Sequence, residues 1–205
     1  MKKFKLTSEF IVDISGVKLF RIKALIEFGN VKAGDLGGYI EKEENLSHMG
    51  NAWVSGNAQV SGDARVSGNA QVFGNAQVFG DAWVFGNAQV SGNARVFGNA
   101  RVSGNARVSG DAQVFGDAWV FGDAQVSGNA QVFGDKDYAY AHGFGSCNRT
   151  TTFFRLKDGD VGVRCGCFYG TLAQFRDNVC ETHGETKKAQ EYLMLADLMD
   201  FRFKN

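Results

Sequence analysis

The chain has 205 residues, enough for one domain of ordinary size or for an elongated element with small flanking modules. Its 22 Lys and Arg residues balance 22 Asp and Glu residues, so no overall positive field favours nucleic acid or an anionic membrane as a partner. No stretch approaches the roughly 18 apolar residues that cross a bilayer, and Glu9 and Asp13 interrupt the first apolar segment, so we predict a cytoplasmic protein.

Residues 1–50 are predicted to form an N-terminal cap. The β-rich segments 10–14 and 17–28 flank Ser15 and Gly16, a turn signal that predicts a β-hairpin. The chain after this hairpin leads into the repeat, and we expect it to cover the first coil. A solenoid needs such a cap because an open end exposes core side chains and unpaired backbone groups.

A six-residue repeat occupies residues 51–134. Fourteen consecutive hexads combine Gly, Asn or Asp, Ala, a variable residue, Val, and Ser or Phe, with Val at every sixth position from Val54 to Val132. Ala and Val alternate with the variable residue as in a short strand, while Gly with Asn or Asp provides a turn. Since three strands and three turns close a coil of 18 residues, the sequence predicts a mainly β solenoid of between four and five coils.

These hexads resemble the repeat of the left-handed parallel β-helix superfamily, which includes trimeric acyltransferases and γ-class carbonic anhydrases. The resemblance covers residues 51–134 and implies a left-handed parallel β-helix, and it favours a homotrimer. The flanks are similar to those of uncharacterised hexapeptide-repeat proteins from bacteria and their phages. Phe after Val departs from the small or acidic residue that is usual in the superfamily, so we expect a specialised outer surface.

Residues 18 apart stack on one face of the predicted prism, which sorts the outward side chains into columns. The face through Val54 is mostly polar, with Ser after Val in four of its five coils. The face through Val60 carries a column that we call the Phe ladder: Phe79, Phe97, Phe115 and Phe133. On the third face, through Val66, arginine and tryptophan alternate from coil to coil: Arg65, Trp83, Arg101 and Trp119. This alternation predicts cation–π stacks of guanidinium on indole.

The Phe ladder allows three interpretations. Four rings in line form an apolar strip of roughly a few hundred Å², a size typical of an interaction site. The rings could instead only stabilise neighbouring coils, as cross-strand aromatic pairs do, or lie beneath the C-terminal region of the same chain. We favour self-assembly and take the ladder and the Arg–Trp column as candidate binding residues.

After a connector at 135–149, residues 150–205 are predicted to form a ββαα module. Strands at 150–156 and 161–168 flank a hairpin turn, and Thr171 with Gln174 forms a capping box that opens a helix. A second helix over about 186–202 places apolar residues at helical spacing. A module of about 60 residues is small for a unit that is stable on its own.

The chain offers few residues for catalysis. The acyltransferases of the superfamily share a His at a subunit junction and the carbonic anhydrases need three zinc-binding His, yet the hexads contain none. All three histidines lie in the flanks: His48, His142 and His183. We therefore predict no catalytic residue, no cofactor and no enzymatic activity. A diverged acyltransferase, with His142 brought to a cleft by a neighbouring subunit, is the enzyme alternative.

Cysteines and acidic residues are the candidate metal ligands. Cys165, Cys167, Cys180 and His183 could supply zinc ligands, but Cys-x-Cys is a weaker signal than two Cys-x-x-Cys knuckles. Strand alternation places Cys165 and Cys167 on the same side as core valines, where a cysteine is most often a small core residue. All four cysteines, including Cys147, are expected to be thiols. An Asp-rich corner before the third face could bind cations, but we favour simple turn chemistry with solvated carboxylates, because Asp suits these backbone angles as Asn does. We predict no metal site and leave zinc open.

The sequence thus predicts a non-catalytic oligomeric binding or scaffold protein of phage or prophage type, with a trimer favoured. It would present its aromatic and arginine-bearing faces to itself or to a host protein, as a counter-defence inhibitor would. An alternative is sequestration of a small nucleotide at subunit interfaces, where Arg would hold phosphate and Trp would stack on the base.

Overall fold

The computed structural model describes residues 1–146 and 148–204. The chain forms a parallel β-solenoid flanked by an N-terminal antiparallel hairpin and a C-terminal antiparallel sheet with two helices. In chain order the strands and helices are β1 (Phe4–Val12), β2 (Lys18–Ala24), β3 (Leu36–Ile40), β4 (Trp53–Val54), β5 (Gln59–Val60), β6 (Arg65–Val66), β7 (Gln71–Val72), β8 (Gln77–Val78), β9 (Trp83–Val84), β10 (Gln89–Val90), β11 (Arg95–Val96), β12 (Arg101–Val102), β13 (Arg107–Val108), β14 (Gln113–Val114), β15 (Trp119–Val120), β16 (Gln125–Val126), β17 (Gln131–Val132), β18 (Tyr138–Phe144), β19 (Arg149–Arg155), β20 (Val161–Cys165), β21 (Phe168–Thr171), α1 (Leu172–His183) and α2 (Lys187–Phe203).

The solenoid has three faces, each a parallel sheet of two-residue strands. The polar face contains β4, β7, β10, β13 and β16; the ladder face contains β5, β8, β11, β14 and β17; the Arg–Trp face contains β6, β9, β12 and β15. Each strand pairs in register with the strand 18 residues away, so that Val96 lies between Val78 and Val114. The predicted mainly β solenoid of between four and five coils is confirmed.

The interior of the solenoid consists of the hexad alanines and valines. All of them, from Ala52 to Val132, are at most 1% exposed. Burying a Val side chain contributes roughly 1.5–3 kcal/mol, so this column is the main apolar core of the fold. The outward positions are therefore free to carry function.

Glycine is required at the solenoid corners for two reasons. Every hexad glycine from Gly56 to Gly128 has φ between 65° and 74°, a left-handed conformation that costs other residues free energy. Each corner also stacks on the next: a Cβ on Gly92 would lie 2.9 Å from the backbone N of Gly110. The repeat therefore needs glycine for backbone conformation and for close packing of coils.

The N-terminal segment adds a partial coil that the repeat count missed. The predicted hairpin is present as β1 and β2, and β2 pairs with β3. Strand β3 then pairs in parallel with β5, with Ile40 on Val60, and Leu46 bridges to Val66. Ile and Leu here occupy places that Val holds in the hexads. The hexad pattern is absent before residue 51, so counting hexads did not predict this coil.

Trp53 is an outward residue of the mostly polar face, but it is not solvated as the pattern of that face predicts. The indole is 4% exposed and packs edge-on against Phe28, with the ring centroids 5.4 Å apart. The N-terminal cap covers this first coil, so its outward residue becomes part of the core. The sequence pattern assigned Trp53 to the surface because it treats every coil as equivalent.

Hydrogen-bond donors close the N-terminal end of the rod. Backbone N–H groups point from each coil to the carbonyls of the next, so the first coil leaves carbonyl oxygens without partners. Lys3 Nζ donates to the carbonyl oxygens of Gly50 at 3.3 Å and Ala52 at 2.8 Å. Asn45 Nδ2 donates to the carbonyl oxygens of Gly62 and Ala64. Both capping residues are buried, at 1% and 0% exposure.

Hydrogen-bond acceptors close the opposite end. Asp135 Oδ1 accepts from the backbone N–H of Trp119 at 2.8 Å, and Asp137 Oδ2 accepts from that of Phe133 at 3.0 Å. Thr152 Oγ1 accepts from the N–H of Gln125 at 2.9 Å. The two ends of the rod therefore carry caps of opposite hydrogen-bonding character, as the direction of the ladder requires.

The C-terminal module contains two more strands than the sequence predicted. The sheet runs β18-β19-β20-β21, and β18 lies within the predicted connector. The predicted strand at 161–168 is two strands, because Gly166, with φ of 58°, turns the chain after Cys165. Side chains of β19 alternate: Phe153 faces the helices, and Phe154 joins the solenoid core.

The capping box of α1 is confirmed. Thr171 Oγ1 accepts from the N–H of Gln174 at 3.3 Å, and Gln174 Oε1 accepts from the N–H of Thr171 at 2.9 Å. Helix α1 ends at Gly184 as predicted. Within the described ranges, neither helix is both long and apolar enough to span a bilayer.

Candidate functional site

The Phe ladder is a stack of rings along the ladder face. Phe79 and Phe97 have centroids 4.9 Å apart and planes 3° from parallel, and Phe97 and Phe115 are 5.0 Å apart at 7°. Phe115 and Phe133 meet edge-on, at 5.3 Å and 65°. Such pairs contribute about 0.5–1.5 kcal/mol each beyond their buried area, so the ladder also stabilises the coils it spans.

Solvent reaches the outer edges of the ladder. Phe79, Phe97 and Phe115 are half-buried by one another, and Phe133 in the last coil is 59% exposed. The described part of the C-terminal region therefore leaves Phe133 open to solvent. This leaves an apolar strip open on the ladder face, while the Ala and Val behind it are fully buried.

Arg95 is a ladder-face residue that the sequence prediction missed. Its guanidinium carbon lies 5.2 Å from the ring centroid of Phe79 and 5.4 Å from that of Phe97. Its Nε is buried and has no hydrogen-bond partner within the described part of the chain. The signal was available: Arg95 is the one basic residue in a column of glutamines, Gln59, Gln77, Gln113 and Gln131.

A groove of about 520 Å³ joins the N-terminal end of the ladder to the tip of the β1–β2 hairpin. Phe79 and Arg95 of the solenoid and Val12 and Ile14 of the hairpin line this groove, together with the carboxylates of Asp13 and Glu41. Val12 is 55% exposed and Ile14 is fully exposed. The apolar surface therefore continues from the ladder onto the cap.

A second apolar surface lies on helix α2. Met194, Leu198 and Phe201 follow one another at helical spacing and are 70%, 56% and 72% exposed. Arg202 Nη2 donates to the carbonyl oxygen of Asp135 at 3.3 Å, which fixes the end of α2 beside the coil that carries Phe133. The sequence prediction identified only the stripe of α2 that packs inside the module.

The Arg–Trp face corrects the predicted cation–π stacks. The strand register places Trp83 between Arg65 and Arg101, as predicted. Within residues 1–146 and 148–204, however, the cation–π contacts involve other residues. The indole N–H of Trp83 donates to Ser67 Oγ at 3.1 Å, and that of Trp119 donates to Ser103 Oγ at 2.9 Å.

Each indole on this face also contacts a phenylalanine from its own coil. The ring centroids are 4.6 Å apart for Trp83 and Phe85, and 5.3 Å apart for Trp119 and Phe121. Trp83 and Trp119 are 41% and 42% exposed. The indoles are thus held by hydrogen bonds and ring contacts, and Arg65 and Arg101 extend into solvent.

The Asp-rich corner is held by side-chain pairs. Lys42 Nζ lies 2.6 Å from Asp63 Oδ1, and this hydrogen bond lowers the pKa of the Asp63 carboxyl. Asn99 Nδ2 donates to Asp117 Oδ1 at 2.9 Å, and Asp135 serves as a C-terminal cap. No cluster of three His, Cys, Asp or Glu side chains suited to a metal ion occurs among the described residues.

The candidate zinc ligands do not form such a cluster either, within the part of the chain that the structure describes. Cys165 is half-buried, and its Sγ accepts a hydrogen bond from Thr151 Oγ1 at 3.2 Å. Cys167 lies in the turn after β20 and is exposed, which corrects its predicted core position, and Cys180 is exposed on α1. Cys147 lies outside the described residues.

The histidines lie in different parts of the molecule. His48 belongs to the N-terminal cap, where its Nδ1 accepts from the backbone N–H of Lys3 at 3.2 Å. His142 on β18 contacts Thr150 Oγ1 at 3.0 Å, and His183 at the end of α1 stacks on a tyrosine ring.

Comparison with known protein families agrees with the repeat. A model described as the YdcK beta solenoid repeat matches residues 58–74, 88–102, 100–116 and 112–128. These segments lie within the three-faced solenoid. The chain is a β-solenoid repeat protein. The family match concerns the repeat and not the flanks, and the search of curated proteins found no match.

Proposed function

We propose that this protein is a non-catalytic oligomeric scaffold whose copies associate through the ladder face. The observation that supports the proposal is the open Phe ladder, continued at one end by Val12 and Ile14 of the hairpin. An apolar strip of this kind on an otherwise polar surface is typical of a protein–protein interface.

The charge pattern of the ladder face favours a second copy of the chain as its occupant. The column beside the rings is glutamine in four coils and arginine only at Arg95. Two such faces can approach each other with little repulsion, because each carries one positive charge beside its rings. The corners on either side, rich in Asn and Asp, supply the polar rim that interfaces usually have.

A trimer is the assembly that we favour. The resemblance of the hexads to a superfamily with trimeric members supports it, and a three-faced prism offers a ladder face and an adjacent edge to two neighbours. A stable interface buries about 800 Å² per partner, more than the ladder alone provides. The hairpin tip and the exposed stripe of α2 are the surfaces that would supply the remainder.

The test is a double substitution, Phe97→Ser and Phe115→Ser. Serine already follows Val at Ser61 on the same face, so the coils should keep their circular dichroism spectrum. We expect sedimentation equilibrium to give an oligomer for the wild type and a smaller species for the variant. Phe73→Ser is the matched control, because Phe73 is 39% exposed on the polar face, and it should leave the mass unchanged.

Two results would contradict the proposal. If the wild type is monomeric at tens of micromolar, the ladder face does not join copies of the chain. A foreign protein, such as a host partner, would then be its expected occupant. If the double variant keeps the wild-type oligomer mass, the ladder is not part of the interface between copies. Native mass spectrometry of the same samples would also detect a co-purified nucleotide, the expected sign of the sequestration alternative.

A further inference from the structure

A small cleft lies where the C-terminal module meets the polar face of the solenoid. It has a volume of about 260 Å³, and Arg107 and Arg164 are its charged residues. Its remaining lining residues are Gln89, Gln125, Ser91, Ser109 and Ser127. Among residues 1–146 and 148–204, every residue that lines the cleft is polar and none is acidic. This composition differs from the apolar ladder face, and the cleft is separate from the surface proposed for self-association.

The side chains of this cleft have unused hydrogen-bonding capacity. Within residues 1–146 and 148–204, neither Arg107 nor Arg164 forms an ion pair with a carboxylate. Ser127 Oγ is buried and has no hydrogen-bond partner in the same part of the chain. A buried hydroxyl without a partner is uncommon, because leaving it unsatisfied costs about 1–3 kcal/mol.

The fold brings the two arginines and the serine column to the same cleft. Arg107 lies in β13, which pairs with β10 and β16, so the three serines follow one another on adjacent coils about 4.8 Å apart. Arg164 comes from β20, where it lies opposite Thr152. Thr152 is itself fixed to the solenoid, since its Oγ1 accepts from the N–H of Gln125. The second guanidinium is therefore positioned by the docking of the module.

We propose that this cleft binds a phosphate group, as the free anion or as a small phosphomonoester. Two guanidinium groups and a column of hydroxyls supply donors to several oxygens of one tetrahedral anion, and guanidinium suits phosphate because its donors are arranged as a fork. Hydroxyls about 4.8 Å apart can donate to one anion between them. None of the described lining residues carries a carboxylate that would repel it.

Isothermal titration with inorganic phosphate tests the site, with ionic strength held constant by chloride. We expect saturable binding of one phosphate per chain, weakened about ten-fold or more by Arg107→Gln or Arg164→Gln, since each removes a charge-assisted hydrogen bond. Lys23→Gln is the matched control: it removes one positive charge from the exposed surface of the N-terminal hairpin and should leave the affinity unchanged.

The same series includes results that would overturn the proposal. An absence of saturable binding would do so, as would an equal loss of affinity in Lys23→Gln, which would indicate attraction to net charge only. Acetate competing as well as phosphate would rule out a site built for a tetrahedral anion. If Arg164→Gln unfolds the module, the phosphate affinities of Arg107→Gln and Ser127→Ala test the site instead, since both variants leave β20 intact. Unchanged affinity in both variants would overturn the proposal.

Discussion

Lys3 is a lysine used for backbone capping. Its ammonium group is buried at the N-terminal end of the rod, where it donates to two carbonyl oxygens and lies 4.6 Å from the ring centroid of Phe28. Burial lowers the pKa of Lys3 from 10.5 to about 8. The folded chain therefore releases this proton at a lower pH than the unfolded chain does.

This shift predicts a pH dependence of stability. Between pH 8 and 10.5 the unfolded chain keeps the Lys3 proton and the folded chain does not, so this group raises the free energy of unfolding as pH increases. Below pH 8 Lys3 is protonated in both states, so the full free-energy cost of burying its charge lowers the free energy of unfolding. Urea unfolding across this range should show the wild type gaining stability relative to Lys3→Met.

Lys5→Met is the control for this measurement. Lys5 lies in β1, two residues after Lys3, and its side chain is exposed, so Lys5→Met should keep the wild-type pH dependence of unfolding. Parallel curves for the wild type and Lys3→Met would contradict the assignment of the slope to Lys3.

Single residues differ in how far the sequence predicts their environment. The ladder rings lie where the 18-residue spacing places them, because strand pairing in register fixes each column. Trp53 and Arg95 do not follow from spacing, since the environment of each depends on side chains from another segment or column. The indole N–H groups donate to serine hydroxyls, and the alternation of Arg and Trp did not indicate these hydrogen bonds.

The corner of each hexad is the element most sensitive to substitution. We expect Gly92→Ala to lower the free energy of unfolding by about 1–2 kcal/mol or more, because φ of 69° disfavours any side chain and the Cβ would meet the backbone of Gly110. Thermal or urea unfolding measures the change. Gly134→Ala is the matched control, since Gly134 has an extended φ of −153° and open space around it.

The Gly134→Ala control distinguishes corner geometry from glycine content as the cause of destabilisation. Gly134→Ala should change stability by no more than about 0.5 kcal/mol, as surface substitutions usually do. Equal destabilisation of both variants would mean that glycine content, and not corner geometry, limits stability.

Elements with a local chemical signature were predictable, and elements defined by their neighbours were not. The capping box of α1 and the hairpin turn at Ser15 and Gly16 are local, and both occur in the structure. The coil through Ile40 and Leu46 depends on pairing with the first hexads, about 20 residues further along the chain. Strand β18 was not predicted either, although its partner β19 is the next strand in the chain. A sequence pattern without repeats carries little information about such pairing.

The continuity of the ladder is a property of the whole rod. Deleting residues 99–104 removes one hexad and turns every later coil by one face, which splits the rings between two faces. Deleting residues 99–116 removes one full coil, including Phe115, and keeps the other three rings on one face. Both deletions preserve the hexad core, so we expect both chains to fold.

Oligomer mass separates these two deletions. The 18-residue deletion should still associate, though more weakly, and the six-residue deletion should be largely dissociated in sedimentation equilibrium at the same concentration. Equal masses for the two would mean that association does not require a continuous ladder.

The opposite chemistry of the two caps has a consequence for growth. One end of the bare rod offers carbonyl oxygens and the other offers N–H groups, so the two ends of different copies are complementary. Stacking of this kind does not close on itself, and it would extend copy after copy into a polar filament. Lys3 and Asn45 at one end, and Asp135, Asp137 and Thr152 at the other, occupy these groups. The caps thus give the rod a finite length and leave only its sides for assembly.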